Sequence, residues 1–216
     1  MSRVYGWMTA GLSLTGVVAW SVAGSPEMIS AIFGNRLLFW GLIIAQLGAV
    51  SVLAGWINKI SGAVATAIYF AYAALTGLTL SSIFIAYTGS SIASVFGTTA
   101  FAFAGLSATG YLTKRDLGPV GSFCIMGLWG LVGFALLSML FPSLMGEGAS
   151  FVFSLVGIIV FAGLTAYDTQ RIKQMNTAGE EGTEMGRKKA IFGALTLYLD
   201  FINLFLSLLR LTGRRR

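Results

Sequence analysis

An all-α integral membrane protein is the fold class this sequence predicts, and three observations predict it. Of 216 residues, 56% are hydrophobic and 10% charged, against roughly 25% charged in an ordinary soluble domain. The mean hydropathy is +0.82. There are 28 glycines, nearly twice the usual share of roughly 7%, and helices that pack in lipid favour small residues because their backbones can then approach closely. A soluble chain of this length needs a charged surface, and this one lacks the residues to make it.

A span needs about 20 mostly apolar residues. Runs of that kind cover 4–24, 37–57, 62–87, 91–112, 120–141, 150–170 and 190–211, so seven transmembrane helices are expected. The first run carries Arg3 and ends near Ser21-Val22-Ala23, which resembles a cleavage site. It exceeds the apolar region of about 7–15 residues in a secretory signal, and is read as a retained helix. The breaks carry turn residues: Ser25-Pro26-Glu27, Asn58-Lys59, Thr88-Gly89-Ser90, the charged segment from Lys114 to Pro119, and Pro142 with the glycines that follow. The one long polar stretch is 171–189. Connections this short leave no room for a soluble domain, so 1–216 reads as a single polytopic membrane domain whose partner is the lipid bilayer.

Orientation follows the Lys and Arg bias of the connections. With seven crossings, Arg3, Lys59, Lys114, Arg115, Arg171, Lys173, Arg187, Lys188 and Lys189 share one side, 9 of the 14 basic residues. Arg36, Arg210, Arg214, Arg215 and Arg216 fall on the other. The N-terminus and the 171–189 segment are therefore expected in the cytoplasm. The C-terminal arginines dissent, and a re-entrant last run would bring that tail to the cytoplasmic side as well.

Composition also excludes chemistry. There is no histidine, hence no imidazole to bind a metal, relay protons or sense pH near neutrality. The single cysteine, Cys124, lies in an apolar run; it allows no internal disulfide or thiolate cage and reads as a small apolar filler. Gly127-x-x-Gly130-x-x-Gly133 reads as a close-packing face of the fifth helix. No cofactor, no confident metal centre and no nucleic-acid surface is expected.

Of eight acidic residues, Glu27, Asp116, Glu147, Glu180, Glu181 and Glu184 fall in connections, whereas Asp168 and Asp200 fall within the last two runs. Asp200 is ten residues into its run, about 15 Å deep at 1.5 Å per residue. A carboxylate on a lipid-embedded helix costs roughly 2.5–3.5 kcal/mol on insertion scales, so it faces the bundle interior or a water-filled cavity. Thr196, Asp200, Asn203, Ser207 and Arg210 recur at spacings of 4, 3, 4 and 3, one polar face on an otherwise apolar helix. Such a face suits either helix-to-helix hydrogen bonding or a conduit. If the two acids meet, they cannot easily ionise together and titrate as a unit, which makes them the candidate proton sensor. Arg171 belongs to the membrane interface beside them. Asp168, Asp200, Thr196, Asn203 and Ser207 present only oxygens toward a cation, as calcium prefers, so the two aspartates are candidate calcium contacts.

The segment Ala166-Tyr167-Asp168-Thr169-Gln170-Arg171-Ile172, followed by Ala194-Leu195-Thr196-Leu197-Tyr198-Leu199-Asp200-Phe201-Ile202-Asn203-Leu204-Phe205-Leu206-Ser207-Leu208-Leu209-Arg210, resembles the Bax-inhibitor (transmembrane Bax inhibitor motif) family. The first four helices match it only in character. The resemblance implies a bacterial-type inner-membrane member in which six helices wrap a central C-terminal one. It further implies a pH-sensitive calcium leak channel gated by an aspartate pair, here Asp168 and Asp200. Members with a described latch carry an arginine at the end of the second helix; this sequence has Asn58-Lys59 there, and lysine supplies a charge without the planar bidentate fork. A bacterial branch of the family modulates a membrane-bound AAA protease, the alternative function. An enzyme is not expected: Tyr167-Asp168 is similar to a motif of intramembrane aspartyl proteases, but Leu197-Tyr198-Leu199-Asp200 lacks their glycines, and none of Pro26, Pro119 and Pro142 precedes Ala-Leu.

Overall fold

The computed structural model describes residues 1–175 and 182–216. Glu180 and Glu181, expected in a connection, lie outside the described residues. The helices are α1 (Ser2–Ala23), α2 (Pro26–Gly34), α3 (Arg36–Gly55), α4 (Gly62–Leu80), α5 (Ser82–Ala86), α6 (Gly89–Leu112), α7 (Gly118–Leu140), α8 (Glu147–Met175) and α9 (Glu184–Thr212), with a 3₁₀ turn at Pro142–Leu144. The described residues form no strand; Tyr87 and Arg215 make an isolated antiparallel bridge. Six helices are long and apolar enough to cross a membrane, counting α4 with α5 as one, and seven if α1 and α2 form one broken span.

Helix α1 covers the run expected at 4–24. The stretch 25–36 is expected as a connection, yet 26–34 within it form α2, bent 101° from α1. Proline supplies the reason: Pro26 cannot continue α1 but suits a helix start, where its missing N–H goes unmissed. Ser25 caps α2 by accepting from the Met28 amide at 3.5 Å. Asn35 then starts α3, its Oδ1 accepting from Leu37 and Leu38 at 3.0 and 3.2 Å.

Packing divides the chain into two compact units. The first holds residues 1–88, 175–198 and 215–216. In it α1 lies along α4 and α3 packs on α4. Its interior is polar at the centre: Thr15 Oγ1 and Tyr198 Oη are 2.7 Å apart, Thr15 also donates to the Ala73 carbonyl at 2.9 Å, and Tyr69 Oη donates to Trp7 O at 3.0 Å. Tyr69, Tyr72 and Tyr198 meet edge to face. Water is absent at this depth of a bilayer, so each buried hydroxyl needs a protein partner, and these find one. At the helix end, Glu184 pairs with Lys188 at 3.8 Å and accepts from Gly62 N at 3.2 Å.

The second unit holds residues 89–174 and 199–214. Its core is Cys124, Leu131, Val160, Phe161, Leu164 and Leu204, with Phe96 and Phe103 edge-on to Phe201. Cys124 is thus the apolar filler its context suggested. Outward faces are apolar, Leu37 in the first unit and Phe101 in the second being 86% and 85% exposed, the inverse of a water-soluble protein.

Helices α8 and α9 have 29 residues each, about 43 Å at 1.5 Å per residue against a hydrocarbon core of about 30 Å. They therefore extend beyond the apolar runs and take up both ends of the polar 171–189 stretch as helix. The most apolar stretch of α9 is 67% buried, against 6–39% in the other spans.

Candidate functional site

Asp168 and Asp200 both belong to the second unit, one from α8 and one from α9. Thr165, Asp168, Thr169 and Ile172 recur at helical spacing and are all buried, so this side of α8 faces inward. Asp168 is 8% exposed and Asp200 4%. Each carboxyl acts electrostatically on the other. Asp200 Oδ2 is buried and finds no hydrogen-bond partner among the described residues, although an orphaned polar atom at this depth costs several kcal/mol. Two ionised carboxylates cannot satisfy each other, since both only accept.

Glycines set the approach. A Cβ at Gly110 would strike the Ala166 carbonyl, and one at Gly121 would lie 2.5 Å from the Tyr167 ring. Helices α6 and α7 therefore press on α8 at the two residues before Asp168. Gly163 faces Cys124 Sγ, and Cys124 in turn stands in the field of Asp200. The expected small-residue face of α7 forms only in part: Gly127 packs on Val160, but a Cβ at Gly130 or Gly133 would meet nothing within 4 Å. Spacing marks glycines that share a face without saying which face meets a neighbour.

The other sequence candidates are placed as follows. Thr196 and Ser207 donate to carbonyls four residues back, Phe192 O at 3.0 Å and Asn203 O at 2.8 Å, and Asn203 Nδ2 donates to Leu199 O at 2.8 Å. Their donors are thus satisfied inside α9 while their oxygens remain acceptors. Ser207 is buried against Gly157, whereas Arg210 is exposed with its guanidinium 5.4 Å from the Phe153 ring centre. Arg171 is exposed, and its charge acts on Asp168. Asn58 and Lys59 lie exposed on the turn after α3, in the first unit, with Lys59 Nζ 5.9 Å from the Trp56 ring centre.

Two residues that fasten the site escaped the sequence reading. Buried Gln170 accepts from Leu117 N at 2.9 Å and donates to Arg115 O at 2.8 Å, clamping the α6–α7 connection onto α8. Lys173 Nζ donates to Tyr111 O at 2.7 Å and lies 4.5 Å from that ring's centre. The only hint was the charged Lys114–Gly118 segment, which needs fastening. Gln170→Ala removes two hydrogen bonds at a buried position and should cost about 2–3 kcal/mol. Limited trypsin digestion should then cut at Lys114 and Arg115 faster than in the wild type; unchanged cleavage would remove Gln170 from this role.

The family model described as "Inhibitor of apoptosis-promoting Bax1" matches residues 1–216. The Inner membrane protein YbhL of Escherichia coli K12 is 52% identical over 220 residues, covering 100% of this chain and 92% of that protein. An uncharacterized protein of Borreliella burgdorferi is 44% identical over 216 residues, and one of Rickettsia prowazekii, RP147, 41% over 221, both covering all of this chain and respectively 92% and 89% of theirs. With a family match over every residue, and the acidic pair on the two helices that carry the resemblance, the chain belongs to the Bax inhibitor family of membrane proteins.

Proposed function

We propose that the chain is a slow cation leak, for calcium, whose opening follows the protonation of the Asp168–Asp200 pair. The observation that carries this reading is the facing of two buried carboxyls from adjacent helices, with Asp200 Oδ2 lacking a protein donor. A shared proton holds α8 and α9 together there; losing it leaves two like charges that push the helices apart. The freed oxygens, with acceptor oxygens of Asn203 and Ser207 further along the second unit's part of α9, then offer a hard cation its preferred ligands. Calcium flux into liposomes holding only this protein, compared with empty liposomes over a pH series, tests the reading. Flux no greater than that of empty liposomes removes the channel.

The proposed location is a bacterial inner membrane, as the printed name of the E. coli relative has it for that protein, with the N-terminus and 171–189 in the cytoplasm. Single cysteines at Ser2 and Thr183, in a Cys124→Ser background, should resist an impermeant thiol reagent in intact cells and react after permeabilisation. Labelling without permeabilisation reverses the orientation. One observation favours an additional role as modulator of a membrane-bound AAA protease or other integral partner. Helix α9 begins well before its apolar run, and this start carries exposed Met185 and Arg187. Docking there does not involve the buried acids, so partner capture should survive Asp168→Asn combined with Asp200→Asn; loss of capture in that folded double variant would refute the separation.

A further inference from the structure

We propose that a hydroxyl-lined groove in the second unit, where α6 begins and α9 ends, holds the phosphate of an anionic glycerophospholipid from the surrounding bilayer. The groove has a volume of about 500 Å³. Its mouth is formed by Ser91 and Arg214, and the Arg214 backbone N–H donates to Ser91 Oγ at 3.0 Å, which fixes where the arginine side chain starts. Along α6, exposed Ser94 and Thr98 stand four residues apart on the same face and line the wall, the Thr98 hydroxyl donating to Ser94 O at 3.0 Å and leaving its oxygen as an acceptor. Among the described residues, the Ser94 hydroxyl and the Arg214 guanidinium make no side-chain hydrogen bond and no ion pair, and no acidic residue lines the groove. Val95 and Leu208 supply its apolar floor.

This order of groups matches the order of chemistry along a phospholipid. From Ser91 to Thr98 is about 10 Å along the helix axis at 1.5 Å per residue, comparable with the interfacial layer of roughly 5–8 Å on each side of the hydrocarbon core and the first methylenes beneath it. An arginine at the mouth binds phosphate oxygens with its planar fork. The first turn of α6 adds the positive end of a helix dipole to the same opening. Ser94 can then donate to an ester carbonyl, and the acyl chain lies on Val95 and Leu208. With Arg214 and no acid among the described lining residues, a headgroup of net negative charge fits better than a zwitterion, whose ammonium finds no counterpart there. A free phosphate could use the mouth but would leave the apolar floor uncovered. The site is independent of the proposed ion path, since none of its residues belongs to the acidic pair.

Native mass spectrometry of the full chain released from mixed phosphatidylglycerol and phosphatidylcholine bilayers tests the proposal. The wild type should retain phosphatidylglycerol in preference to phosphatidylcholine, and a large excess of inorganic phosphate should leave it bound. Arg214→Gln and, separately, Ser94→Ala with Thr98→Ala should each weaken retention, the former about tenfold for the loss of a charge-assisted contact; Arg214→Lys should keep part of it. These positions lie at the surface of helix ends, so a wild-type melting temperature verifies folding. Equal retention in the wild type and both variants overturns the site, and displacement by inorganic phosphate alone overturns the lipid as its occupant.

Discussion

Calcium entry into proteoliposomes should rise with pH for the wild type and be flat, and low, for Asp168→Asn and for Asp200→Asn. The sign follows from hydrogen bonding. At low pH one proton between the carboxyls gives the buried Asp200 Oδ2 its donor, and the helices stay joined. As pH rises the proton leaves and two like charges remain; unit charges at about 4 Å and an effective dielectric near 20 repel by ~4 kcal/mol. The exposed Arg171 offsets part of this. Even a third of that repulsion shifts a closed–open equilibrium about tenfold, so a flux ratio of about ten or more between pH 8 and pH 5 is expected. Asparagine at either position carries its own N–H donors at every pH and removes the like-charge repulsion. The joint then stays closed, since the remaining carboxylate accepts from the amide and ionising it creates no like-charge pair. Alanine at Asp200 differs, because it leaves Asp168 without a partner and opens a gap. Exposed Glu27 lies in the first turn of α2, in the first unit, and Glu27→Gln should keep the wild-type profile. Identical pH profiles in wild type and both asparagine variants would sink the sensor even if flux were present.

Gly110→Val should destabilise the second unit by about 3 kcal/mol or more, at the upper end of overpacking effects. The collision partner decides this magnitude. A Cβ at Gly110 lands on the carbonyl of Ala166, which is backbone and cannot rotate away. Relief requires α6 and α8 to separate, and Asp168 lies two residues from the contact. Thermal unfolding in detergent, followed by circular dichroism, should show the loss, and Gly110→Ala should already show part of it. Gly130→Ala is the contrast. Its Cβ meets nothing within 4 Å, so the substitution should stabilise by roughly 0.5–1 kcal/mol through the entropy glycine loses on folding. Equal melting temperatures for Gly110→Val and wild type would refute the close approach. A folded Gly110→Ala with a displaced α8 should also lose pH dependence of flux, tying the packing to the proposed sensor.

The class of this protein and the identity of its two intramembrane acids were determined by the sequence alone. Both follow from solvation energies that act residue by residue: a run of about 20 apolar residues enters lipid whatever surrounds it, and an ionisable group inside such a run is conspicuous because it is costly. The family likewise lies in a linear string, the segments around Asp168 and Asp200. What needed three dimensions was everything set by which faces meet. Gly110 and Gly130 carry the same side chain on apolar helices, yet one is pressed onto a neighbour's carbonyl and the other has nothing within 4 Å. Thr196, Asn203 and Ser207 form a polar stripe by spacing, but only their hydrogen bonds reveal donors turned back into α9. Gln170 is an ordinary polar residue near a helix end until the α6–α7 connection folds over it. The bend between α1 and α2 has a local signal in Ser25-Pro26, though its 101° angle is set by the packing on either side. Asp200 Oδ2 is buried without a hydrogen-bond partner among the described residues, which hydropathy and periodicity do not encode because hydrogen-bond geometry depends on tertiary neighbours.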